Sequence, residues 1–140
     1  MHDFSKLNEL PVIAKYWLEA QERINISEDF AFFKTHSGNV TLNKHKYTNE
    51  ENVLGLIYLV RDPRDVVVSY SKHFNISFDE SIKSITNKNL INWTGFPKKN
   101  HYRVLVGSWD IHYRSWKALG VPSLVIKYET PVSYTHLRAH

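Results

Sequence analysis

The chain has 140 residues, 42% hydrophobic, 14% aromatic and 23% charged, with a net charge of +4. That composition excludes a wholly disordered chain and suits one domain with a real core. The lack of cysteine excludes disulfides and thiolate metal sites, and no apolar run nears the roughly 20 residues that cross a bilayer.

From Pro11 to Ile24 the sequence PVIAKYWLEAQERI places Ile13, Trp17 and Ile24 near one face and predicts one amphipathic helix with a first-turn proline. The aromatic stretch DFAFFK, Asp29 to Lys34, predicts a strand. LGLIYLV, Leu54 to Val60, is nearly all apolar, as a strand buried on both faces of a parallel sheet would be. Asp62 and Pro63 then supply a cap and a first-turn proline for a helix running to Phe74. Ser77 and Glu80 have the spacing of a capping box, which opens a helix from Phe78 to about Thr86. Between His101 and Leu119, Leu105, Trp109, His112, Trp116 and Leu119 recur at helical steps and predict one long helix. Gly120 and Pro122 stop it, and SLVIKY, Ser123 to Tyr128, predicts a third strand. Strands alternating with helices imply an α/β layered fold with a central parallel sheet.

Residues 1–130 read as a single, partial domain, with no linker or internal repeat. PVSYTHLRAH, residues 131–140, breaks this logic, having neither periodicity nor caps. VSYTHLRAH is what a transposon-based sequencing adapter gives on translation, so Val132 to His140, with Pro131 at the border, reads as a non-native tail. Without it Arg138 goes and the charge becomes +3, and His136 and His140 leave the candidate ligands.

Basic residues are scattered among acids rather than gathered into a stripe, which favours a groove for a small anion over nucleic-acid binding. In α/β sheets ligands collect at the carboxyl ends of strands. Lys34, Thr35 and His36 leave the first expected strand, and Arg61 to Arg64 leave the second. A helix N-terminus with a guanidinium beside it favours phosphate or sulfate, and Ser69, two turns beyond Asp62, can add a hydroxyl. Each piece also has a plain structural reading: Arg61 as a surface ion pair with Asp62 or Asp65, Ser69 as a helix-face hydroxyl, His36 as an ordinary surface or core residue. His112, on the aromatic stripe, reads as a packing residue, and Glu129 stays open between the two.

Taken together, FFKTH (Phe32 to His36), IYLVRDPRDVVVSYSKHF (Ile57 to Phe74), GSW (Gly107 to Trp109) with Trp116, and VIKYET (Val125 to Thr130) resemble the sulfotransferase family that uses 3'-phosphoadenylyl sulfate, over about Phe30 to Thr130. The most specific part is the arginine, the Asp-Pro turn and the serine eight positions after the arginine. The resemblance implies a P-loop-like α/β fold, truncated at both ends, and sulfuryl transfer from the nucleotide to a hydroxyl or amine of a small-molecule or glycan acceptor, without a metal. It matches His36 to the catalytic base and Lys34 to the lysine that stabilises charge on the transferring group. Arg61 and Ser69 match the pair that holds the 3'-phosphate. Relatives commonly carry tyrosine where this chain has Val106. The family's glycine-containing 5'-phosphosulfate loop and its later Arg-Lys-Gly loop have no counterpart here, so the fragment alone is expected to be inactive.

Two rivals are a P-loop kinase-like nucleotide-binding fragment, for which a Walker lysine loop is missing, and a basic anion- or glycan-binding module. The sequons at Asn25, Asn39, Asn75 and Asn92 would suit a Golgi-lumen enzyme whose anchor is lost; the expectation is a cytoplasmic one.

Overall fold

A computed structural model of the chain describes residues 9–24, 30–94 and 102–130. The expected first helix is two helices, α1 (Leu10–Ala14) and α2 (Trp17–Ile24). A tightened turn, with Tyr16 N–H donating to Ile13 O at 2.9 Å, separates them. Tertiary contacts override the continuous pattern here. Leu10 and Ala14 are the buried positions of α1, whereas Ile24 is exposed. Trp17 meets the Tyr47 ring edge-on at 5.2 Å, and Gln21 Nε2 donates to Tyr47 O at 2.7 Å.

The expected strand from Asp29 to Lys34 does not form among its described residues. Phe30 to Lys34 run without a ladder partner, with Phe30, Phe32 and Phe33 exposed. Next comes a hairpin that the sequence reading did not include, β1 (Thr41–Leu42) and β2 (His45–Lys46), in antiparallel pairing. Its turn residues Asn43 and Lys44 both have positive φ, as a two-residue turn matched to strand twist requires.

β3 (Leu56–Val60) starts two residues later than the apolar run, and it leads into α3 (Pro63–Phe74). Asp62 caps α3, accepting from Arg64 N–H at 2.9 Å, and Pro63 fills its first turn, as the sequence implied. α4 (Phe78–Ile85) opens on the full capping box: Ser77 Oγ accepts from Glu80 N–H, and Glu80 accepts from Ser77 N–H at 2.9 Å. Ser81 is fully buried between α3 and α4, donating to Val67 O at 2.8 Å.

The expected long helix from His101 to Leu119 is corrected. β4 (Ile91–Thr94) pairs antiparallel with β5 (Tyr102–Leu105), and only Trp109–Lys117 is helix, α5. Gly107, at φ +72°, breaks the chain direction between them, and Ser108 stands as the extended residue before the first turn. Leu105 continues the stripe in sequence but belongs to a strand. β6 (Ser123–Lys127) then lies parallel to β3, with Leu56 opposite Ser123 and Val60 opposite Lys127.

The fold is therefore mixed α/β with a parallel β3–β6 pair. One face of β3 meets α5 through Tyr58, which packs on Tyr113 at 5.3 Å. The other face is bare, contrary to the expectation of burial on both sides: Ile57, Leu59 and Leu124 are 57%, 65% and 57% exposed.

Candidate functional site

The segment Thr35 to Asn39 is fixed on its downstream side by side chains of α5 and the end of β5. Trp116, itself buried, donates from Nε1 to Ser37 O at 3.0 Å. Ser115 Oγ accepts from Asn39 N–H at 3.1 Å. Gly38 N–H donates to Leu105 O at 2.9 Å, and a Cβ on Gly38 would stand 3.1 Å from Val106 O, a tight approach that favours glycine. Thr35 Oγ1 accepts from Ser37 N–H and shares a 2.7 Å hydrogen bond with the Tyr47 hydroxyl. His36 thus sits at the border between a clamped segment and the unladdered run Phe30 to Lys34.

His112 Nε2 lies 3.4 Å from His36 O, and its Nδ1 is 2.7 Å from the Tyr58 hydroxyl. Burial pushes the His112 imidazole below its ordinary pKa, and the neighbouring His36 adds to this, while contacts to the His36 and Ser37 backbone oppose it. Burial likewise pushes the Tyr58 phenol up to about 12, with Tyr113 adding to the effect.

Arg61 leaves β3 half-buried. Its guanidinium lies 4.9 Å over the Tyr128 ring, a cation–π contact between the turns that follow β3 and β6. Trp109 Nε1 donates to Arg61 O at 3.2 Å. The ion pair considered for Arg61 is taken by its neighbour: Arg64 grips Asp62 through Nε at 3.0 Å and Nη2 at 2.7 Å. Those hydrogen bonds hold the Asp62 carboxyl down to about 2. Arg61 Nε is buried and has no hydrogen-bond partner among the described residues, an arrangement suited to receiving an anion. Glu129 Oε1 accepts from Asp62 N–H at 3.0 Å, which resolves its open reading as a brace for the turn that starts α3.

Lys34, His36 and Arg61 line one open cavity of about 1760 Å³, together with Trp109 and His112. Ser69 is not among its lining residues and is exposed on α3. Sequence reasoning missed Tyr58 and His112, because a stripe that reads as packing carries no signal of a polar link to a residue 54 positions away. No group of three or more metal-binding side chains occurs among the described residues. No helix among them is long and apolar enough to cross a membrane.

A sequence model of the sulfotransferase domain family matches residues 2–130, nearly the whole chain. No curated protein and no solved structure matches it.

Proposed function

The chain belongs to the sulfotransferase domain family, and from that premise we propose that it transfers the sulfuryl group of 3'-phosphoadenylyl sulfate with His36 as general base. The donor is general to the family, and acceptors in it are small molecules or glycans. The observation that carries the reading is that Lys34, His36 and Arg61 line one cavity, from two segments 25 residues apart, with the Arg61 Nε unpartnered among the described residues.

In this reading the acceptor hydroxyl or amine attacks sulfur as its proton passes to the His36 imidazole. The bond between sulfur and the phosphate oxygen breaks, and the electron pair leaves with the bisphosphate nucleotide. The unprotonated nitrogen of a neutral imidazole accepts a proton, which is the chemistry a general base needs. Lys34 places a positive charge where negative charge accumulates on the transferring group. Arg61 offers directed donors for the 3'-phosphate, beside the N-terminal end of α3. Ser69, the second residue that the resemblance matches to the 3'-phosphate, stands on α3 outside the lining of this cavity.

The test is mass spectrometry of a panel of hydroxyl and amine acceptors incubated with the full-length enzyme and 3'-phosphoadenylyl sulfate. A sulfated product that requires the 3'-phosphate on the donor is expected. Equal product from a donor lacking that phosphate would overturn the donor assignment.

A further inference from the structure

We infer that His112 is a positioning residue for His36: from α5 it holds the main-chain carbonyl of His36, in a tautomer set by Tyr58 on β3. The inference deepens the reading above and rests on His36 being the base.

The hydrogen-bond roles follow from the partners. A main-chain carbonyl only accepts, so His112 Nε2 carries the proton that points at His36 O. In a neutral ring Nδ1 is then an acceptor, and the Tyr58 hydroxyl donates to it across 2.7 Å. The titratable groups around the ring are Tyr58 from β3, His36 from the clamped segment and, beyond Tyr58, Tyr113 from α5. None of the three is a carboxylate that would hold the ring charged. Burial favours its neutral form, and the raised Tyr58 phenol stays a donor through the physiological range.

The contact is also placed where it matters for the base. Trp116 holds Ser37 and Ser115 holds Asn39, but among the hydrogen bonds from α5 only that of His112 reaches His36 itself. Upstream, Phe30 to Lys34 have no ladder among the described residues to fix the chain. The direction of the His36 Cα–Cβ bond therefore depends on the clamp behind it. At 3.4 Å the hydrogen bond is long, as such contacts often are before substrate closes a site. Losing it lets the imidazole drift from the acceptor proton, and small misplacements of reacting groups are expensive in rate.

Steady-state kinetics of the full-length enzyme test this with His112→Gln, which keeps an N–H donor, and His112→Phe, which keeps only a ring. His112→Phe is expected to lower kcat about tenfold, the rate equivalent of one net hydrogen bond. Its donor KM should change less than about twofold, and His112→Gln should recover most of the lost kcat. Equal losses in the two variants, or wild-type kcat in both, would overturn the inference. His36→Ala runs alongside: if it still turns over, the base reading itself fails, whereas an inactive His36→Ala beside a fully active His112→Phe defeats only the positioning role. Should His112→Phe not fold, long-range 1H–15N spectra of wild-type enzyme at about pH 7.5 decide the tautomer. An Nε2–H ring supports the inference and an Nδ1–H ring overturns it.

Discussion

The Arg61 guanidinium lies 4.9 Å over the Tyr128 ring, so the residue leaving β3 is held against the residue leaving β6. Arg64 occupies Asp62, so Arg61, which also lines the cavity, is left without that carboxylate as a partner. Arg61→Ala should weaken binding of the 3',5'-bisphosphate nucleotide by about ten- to a hundredfold, the scale of a lost charged hydrogen bond. The analogue without the 3'-phosphate should lose less than about threefold. Calorimetric titration with both nucleotides checks this, and equal losses would count against the assignment.

Ser77 starts α4 through a reciprocal capping box, and α4 packs on α3, which Asp62 caps. Ser77→Ala should cost about 1 kcal/mol. Urea unfolding would show this as a lower midpoint with an unchanged slope. Ser77→Thr, which retains the capping hydroxyl, should restore most of the loss.

Two half-buried groups set opposite edges to the stability profile. His112 has a lowered pKa in the fold, so below about pH 6.5 the unfolded chain takes up a proton that the fold resists, and stability falls as pH drops. Tyr58 is raised to about 12, so its contribution is complete below the ordinary phenol value and is lost as pH rises toward 12. Urea midpoints measured across pH should show both slopes. His112→Gln should flatten the acid slope and Tyr58→Phe the alkaline one; unchanged slopes would contradict the burial of these groups.

What the sequence made legible was local. The Asp62-Pro63 start of α3 and the Ser77–Glu80 box depend on residues within one turn of each other, and both form as read. The parallel strands β3 and β6 were legible from their apolar runs and flanking breakers. The failures are tertiary. Phe30 to Lys34 has the composition of a strand, but no ladder forms beside it among the described residues. The stripe through Leu105 and Trp109 has helical spacing, yet Gly107 turns the chain between them and Leu105 pairs with Ile91. Arg61 could be named from its position after β3, whereas Lys34 and His36 follow a strand that does not form and were named from the motif FFKTH alone. The link from Tyr58 through His112 to His36 joins three distant segments, and no local pattern announces it.

The most direct measurement is sulfuryl transfer by full-length enzyme carrying His36→Ala, with bisphosphate nucleotide binding measured on the same preparation. With His36 as the base, turnover should fall by about a hundredfold or more while nucleotide affinity stays within about threefold of wild type. Turnover retained at the wild-type rate, with the nucleotide still bound, would contradict the account.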